Sequence, residues 1–519
     1  MVIINNNYLV LFILREKVEK HTQYILHDIF IYKYNKYMTL TRNSIEQSEE
    51  RSSNDINSIK VNQLNKYKRK FNESETNKLI QNSLCSNSLY AVSEVREYMQ
   101  SRDHEFSHTL DPELKTSDQG FSGSCWLFAV LNVMRHELIR DQHLVHDFEL
   151  SETYLCFYEK MEKCNYFLTQ FIDMDKIDLS DHTVRELLHY GCEDGGLWIT
   201  CSNLIKKYGV IPKTSFRESV NSFSTNTMND VLNSRLKEFA LTLTKINNKN
   251  KKIKKKEEMM NEIYDMLCKM LGTPPRPDEK ISWSFSLNVD LTEKLEREQK
   301  RQKNGGEYEN VTMKNVVDIT PLEFYENIIV HKLQDYIKLG NDPRKKYNKY
   351  FISPESDVVI EGEKNYFFNV SMDTIEKMCV NSIVDNTPVQ FDCDVDKYLN
   401  YSEDLFDDKC FDFKLVFGNN IHNLSKESML NTLSSRPNHT MVLVGVDLDE
   451  NNKPVKWKIE NSWGCNENSN GHYVMSNDWF KRFGYNVILH EQYIDTKILK
   501  KYKSEKKNLT VLSEFDPMG

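Results

Sequence analysis

The stretch Gln119-Gly-Phe-Ser-Gly-Ser-Cys125-Trp126-Leu-Phe joins a Gly/Ser loop to a strongly hydrophobic segment, Trp126–Ile139. Apolar residues fall nearly all round that segment. This predicts a helix buried on every side rather than a surface helix. Cys125 then lies at a helix N-terminus, where unpaired N–H groups and the positive end of the dipole lower a thiol pKa. The thiolate is the reactive form, so this is a position for a nucleophile. Gln119 stands six residues upstream. Its side-chain amide is placed to donate to a developing oxyanion beside the backbone N–H of Cys125.

A thiolate nucleophile needs a histidine and a group to orient it. The C-terminal third supplies both. Met441–Val446 and Val455–Ile459 are β-rich, and the second alternates as Val455, Trp457, Ile459. Asp449-Glu-Asn-Asn-Lys453 between them reads as a hairpin loop. His439 precedes the first strand, and Asn461 follows the second within Glu460-Asn461-Ser-Trp463-Gly464. In an antiparallel hairpin those two ends lie side by side. Asn461 is thus expected to hold one imidazole nitrogen while the other faces Cys125. Trp463 is expected to cover that bond against water, and Trp126 to shield the site from its other side.

The 519 residues suggest two to four structural units. A balance of 68 Lys+Arg against 77 Asp+Glu, net −9, does not mark a polyanion binder. No run approaches 18 consecutive apolar residues, so no membrane helix is expected. The apolar run Tyr8–Leu14 lacks the basic flank and the small residues of a signal peptide. The 11 cysteines are an odd number spread over a long chain. They suit free thiols in a reducing, cytoplasmic setting.

Residues 1–60 read as a polar extension. The segment Glu149–Phe171, opening on Ser151-Glu-Thr, reads as a second helix. Residues 217–370 are charged and helix-prone, with a solvated loop at 291–315. Helices come first and strands last, so the fold class is α+β rather than alternating α/β.

Together, Q-x-x-S-G-x-C-W, a later histidine before a strand, and N-S-W-G resemble the papain-like cysteine peptidases. Further blocks resemble the bleomycin hydrolase family, the aminopeptidase branch of that clan. They include Phe148-Glu-Leu-Ser-Glu-Thr-Tyr-Leu, Lys207-Tyr-Gly-Val-Ile-Pro-Lys213, Leu271-Gly-Thr-Pro-Pro275, Asn341-Asp-Pro-Arg344 and Asp516-Pro-Met-Gly519. The resemblance implies a papain-like core with a helical half at 61–216 and an antiparallel β half at 371–505. It implies a large helical insertion between them at 217–370, serving oligomerisation, and a C-terminal tail at 506–519 lying in the cleft. It implies Cys125 as nucleophile, His439 as base and acid, Asn461 as orienter and Gln119 as oxyanion donor. Gly195 and Gly196 would form the substrate-binding edge, and the carboxylate of Gly519 would meet the substrate's α-amino group. A peptide substrate, a homohexamer and no cofactor or metal are likewise implied. Relatives continue a few residues past Asp-Pro-Met-Gly. At roughly 3.3 Å per residue, three fewer residues withdraw the carboxylate by about 10 Å. That implies a relaxed register that also accepts longer N-terminal overhangs.

The other ten cysteines read as small buried hydrophobes, without the paired spacing of a zinc site. The lysine run at 251–256 is the one signal for weak nonspecific nucleic-acid binding, and a solvated helix face is its ordinary reading. The rival to an enzyme is a noncatalytic peptide- or nucleic-acid-binding oligomer on the same fold. Such a module has no use for the full Cys–His–Asn–Gln set.

Overall fold

The computed structural model describes residues 57–174, 178–286, 313–329, 332–353, 358–419, 421, 423–465, 471–506, 508–513 and 516–518. The chain forms two compact units, Met1–Asn87 and Ser88–Gly519. In the first, the described residues form helices Val61–Asn72 and Glu75–Leu84. The Ser74 hydroxyl caps the second by accepting from the Asn77 N–H. Leu64, Phe71 and Leu79 are exposed there.

The second unit carries the core. Its central helix spans Cys125–Gln142, and every residue from Trp126 to Ile139 is buried. The predicted all-round burial is therefore observed, and several polar members of the helix find partners. Asn132 donates to the Ser117 hydroxyl at 2.9 Å, His136 meets Glu460 at 2.7 Å, and Glu137 accepts from Tyr336 at 2.6 Å. The next helix, Glu152–Asp173, starts where the sequence placed it, with Ser151 as N-cap. It buries Tyr154, Phe157, Phe167 and Phe171 completely. Each such side chain contributes about 1.5–3 kcal/mol through burial.

A long sheet runs beside these helices, and its middle is antiparallel. The strand His439–Leu448 pairs on one side with Val389–Cys393 and on the other with Pro454–Glu460. The latter pairs in turn with His472–Ser476, and Gly484–His490 pairs with Val389–Cys393. The hairpin turn sits where expected. The Asp449 carboxylate accepts from the Asn451 and Lys453 N–H groups, and Asn452 takes a left-handed φ of 57°. Mixed helices with a largely antiparallel sheet give the α+β class expected from the sequence.

The described residues of the middle region, 217–370, include strands as well as helices. Helices Asn226–Thr244 and Lys249–Leu271 are present, and among the described residues after Leu271 the region also holds the helix Pro321–Ile328. Tyr336–Gly340, Lys349–Ile352 and Tyr366–Asn369 are strands that extend the main sheet. Tyr336–Gly340 pairs directly with Gly484–His490. Short runs rich in Tyr, Phe and Ile, such as Tyr366-Phe-Phe, fit a buried sheet position better than a charged helix. Most of the 291–315 loop and of the 1–60 extension lies outside the described residues. Residues 313–315 belong to the strand Met313–Ile319, which pairs with Ile281–Ser286. Three lysines of the 251–256 run have partners within the chain. Lys252 donates to the Phe171 and Met174 carbonyls, Lys256 to the Thr169 hydroxyl, and Lys255 pairs with Glu258.

Candidate active site

Cys125 is the first residue of its helix and is partly exposed. The loop before it is held on both sides. The Gln119 N–H donates to the Ser462 carbonyl at 2.9 Å, and the Phe121 N–H to the Phe223 carbonyl at 2.8 Å. The Gly123 N–H donates to an Asp194 carboxylate oxygen at 2.8 Å. Gly120 has φ +58°, and a Cβ there would lie 2.5 Å from the Phe223 carbonyl oxygen. Only glycine fits that turn.

His439 opens its strand and is buried. The ladder pairs Val442 with Glu460. That register carries the next residue, Asn461, back toward the strand start, and its Oδ1 lies 2.9 Å from His439 Nε2. An amide oxygen only accepts, so Nε2 carries the hydrogen and Nδ1 is left for the thiol. The electrostatics agree with this arrangement. Desolvation in the cleft raises the Cys125 thiol, but the His439 charge, its hydrogen bond and the Thr440 backbone pull it below its ordinary value. Burial lowers His439, but the Cys125 charge, its hydrogen bond and Asn461 bring it above its ordinary value. Opposite shifts in two facing groups favour a thiolate–imidazolium pair.

The Trp463 ring lies over His439, with centroids 5.1 Å apart. Tyr401 stacks on Trp463 at 6.2 Å, and Tyr473 meets it edge-on at 5.7 Å. Trp126 is only 2% exposed. It lies beneath Gly196, where a Cβ would come within 2.5 Å of the indole. Gly195 has φ +95° and nothing within 4 Å of a Cβ position, so that edge of the cleft is open. Gly519 lies outside the described residues. Just before it, Asp516 pairs with Arg344 at 2.7 Å and Lys345 at 2.8 Å. Met518 is buried in a small apolar cluster with Phe351, Phe367, Leu430, Tyr485 and Leu512.

Two residues carry more of the site than sequence reasoning assigned them. Ser462 is the first. Its hydroxyl donates to Gln119 Oε1 at 2.6 Å, and its N–H donates to Asn461 Oδ1 at 2.9 Å. It therefore holds the Gln119 amide and the histidine's partner together. The Gln119 NH2 group is turned toward the loop and donates to the Ser122 carbonyl. The second is Asp194, which ties the loop before Cys125 to the glycine edge. The only sequence signal for either was adjacency to a motif. Behind Asn461, Glu460 is fully enclosed. Burial raises its carboxyl, but His136 and Arg135 pull it below the usual range. Among the described residues no cluster of ligating side chains is arranged for a metal ion. No described helix is long and apolar enough to cross a membrane.

Residues 58–519 match the Peptidase C1-like family. The chain is similar to bleomycin hydrolase from Homo sapiens, 32% identical over 481 residues, which covers 90% of this chain and 99% of the relative. It is similar to aminopeptidase C from Listeria monocytogenes, 32% identical over 460 residues, covering 88% and 97%. Among solved structures, PepW from Lactobacillus rhamnosis superposes with a TM-score of 0.80 at 29% identity, covering 89% of this chain and 99% of that one.

Proposed function

This chain belongs to the Peptidase C1-like family, and we propose that it is a cysteine-type aminopeptidase acting through Cys125, His439, Asn461 and Gln119. The observation that carries the reading is the 2.9 Å bond between His439 and Asn461, combined with a thiol pulled below its ordinary pKa by that histidine. The names of the relatives that match nearly end to end, bleomycin hydrolase and aminopeptidase C, support the exopeptidase part.

In this mechanism the Cys125 thiol gives its proton to His439 Nδ1. The thiolate attacks the scissile carbonyl carbon. Negative charge develops on the carbonyl oxygen and is met by the Cys125 N–H and an N–H of the Gln119 amide. His439 then returns the proton to the leaving amine, and an acyl-enzyme remains. Water attacks the thioester carbonyl with His439 taking its proton, and the thiol is restored. Asn461 keeps the imidazole in the required tautomer throughout, and Trp463 excludes water from that bond. The open edge at Gly195 gives an extended peptide backbone room to approach closely.

The test is hydrolysis of fluorogenic aminoacyl amides, dipeptidyl amides and N-blocked peptide amides. Free-amine substrates should be cleaved and N-blocked ones spared, and C125A should abolish turnover. Equal cleavage of N-blocked and free-amine substrates would overturn the aminopeptidase assignment. Eleven unpaired cysteines support a reducing, cytoplasmic setting. Exposed Val231, Leu241 and Ile253 on the insert helices support a homo-oligomer, a hexamer by the family resemblance. Light scattering that finds a monomer at working concentration would exclude it.

A further inference from the structure

We propose, resting on the peptidase reading above, that Asp194 is a positioning residue through which the helical insert holds the nucleophile loop and the glycine edge of the cleft in one register. Its carboxylate collects four donors. One oxygen accepts from the Gly123 N–H at 2.8 Å and from the Thr225 hydroxyl. The other accepts from Lys160 Nζ at 2.8 Å and from Asn229 Nδ2 at 2.8 Å. A carboxylate has about four lone-pair sites, so this one is fully used.

The donors come from three separate parts of the chain. Gly123 belongs to the nucleophile loop, two residues before Cys125. Lys160 belongs to the Glu152–Asp173 helix and is 1% exposed. Thr225 and Asn229 belong to the insert, at the N-cap and first turn of Asn226–Thr244, and both are buried. The residue after Asp194 closes the circuit. The Gly195 N–H donates back to the Gly123 carbonyl at 3.2 Å. Lys163 then fixes the strap by donating to the Glu193 and Gly195 carbonyls, each at 2.6 Å.

The insert also grips the loop at a second point. Phe223, at the end of the short helix Val220–Phe223, supplies the carbonyl that takes the Phe121 N–H, and it leaves no room for a Cβ at Gly120. The peptide planes at Phe121 and Gly123 are therefore both referenced to the insert. Fixing Gly123 limits where the Ser124–Cys125 peptide, and with it the oxyanion N–H, can point. All eleven cysteines are free, so the tie is made by charge and hydrogen bonds and does not depend on redox conditions.

The test uses the full-length protein. Asp194→Asn keeps the shape and removes the charge. Asn229→Ala removes an insert-side donor to Asp194. Normalised to titrated active sites, kcat should fall about 10- to 100-fold in D194N and by less in N229A, as expected when a reacting group is misplaced by a fraction of an ångström to an ångström. The loss should fall on kcat more than on KM, and the rate of Cys125 alkylation by iodoacetamide should fall with it. The double variant should be no slower than D194N, because Asn229 acts through Asp194. Additive losses in the double variant overturn the proposal. So does a D194N protein with lowered Tm but unchanged kcat in its folded fraction, which is the signature of a merely structural residue. If D194N fails to fold, N229A decides alone, and unchanged kcat and alkylation there overturn it. Alkylation reads the loop without peptide hydrolysis. A wild-type protein that hydrolyses nothing would therefore count against the peptidase reading, while this one would still be judged by the alkylation rates.

Discussion

Cys125 and His439 set each other's protonation, and this has a measurable sign. The thiol is pulled below its ordinary value and the imidazole lifted above its own, and both shifts favour the ion pair. Alkylation of Cys125 by iodoacetamide should stay fast below pH 8.5, about the pKa of a free cysteine, and fall only as pH drops through the depressed thiol pKa. In His439→Ala the charge and hydrogen bond that depress the thiol are gone, while desolvation remains. Its alkylation profile should move to higher pH, and an unchanged profile would show that His439 does not activate this thiol. Cys125, His439 and Asn461 could be singled out in the sequence because each sits at a punctuation point of local structure, a loop-to-helix junction, a strand start and a strand end, and Gln119 through the motif it shares with Cys125. Ser462 and Asp194 could not. Their partners are 343 residues away for Ser462 and 71 for the Gly123 contact of Asp194. No local periodicity reports such contacts.

Helices and strands near the site were legible where a long apolar run or a clean alternation stood out. The Trp126–Ile139 segment and the strand Val455–Ile459 appear at the expected places, longer by a few residues at their ends. The strands at Tyr336–Gly340, Lys349–Ile352 and Tyr366–Asn369 were masked by the charged residues around them, and sheet pairing rather than propensity makes them strands. Element ends also carry specific demands. Gly209 terminates the helix Trp198–Tyr208 with φ +75°, and a Cβ there would lie 2.2 Å from the Pro321 carbonyl. Gly209→Ala should destabilise the protein by about 1–3 kcal/mol, the usual cost of a strained backbone position. A thermal-shift measurement should show the lowered Tm, while kcat per titrated site stays near wild type because the atoms a Gly209 Cβ would meet belong to Pro321 and Leu322 and not to the site. A wild-type Tm would show that the Pro321 segment yields easily.

The molecule as a whole buries carboxyls of both tendencies, and they act on stability in opposite directions. Burial pushes Glu137 up to about 7 against a bond from Tyr336, and pushes Glu152 up to about 7 against Lys213. In the unfolded chain a glutamate titrates near about 4.3. A raised folded pKa means that the folded state holds the proton more tightly. The resulting stability is full below the unfolded value and is lost as pH rises through about 7. Asp194, Asp516 and Glu460 are depressed instead, so their contribution is present at neutral pH and lost on acidification. Glu137→Gln keeps an acceptor for Tyr336 and removes one titration. Its Tm should fall less than that of wild type between pH 5 and 8, and an equal fall would show that Glu137 stays ionised in the folded protein. What the chain revealed without coordinates was local: which segments would be helix or strand, and which side chains have the chemistry for thiol catalysis. A period of 3.6 or 2 and a motif of eight residues are written in neighbouring positions. Bringing His439 to Cys125 across 439 − 125 = 314 residues, turning Ser462 onto Gln119, and using the insert to brace the nucleophile loop were settled by packing. Those contacts depend on the path of everything in between, and no short stretch encodes them.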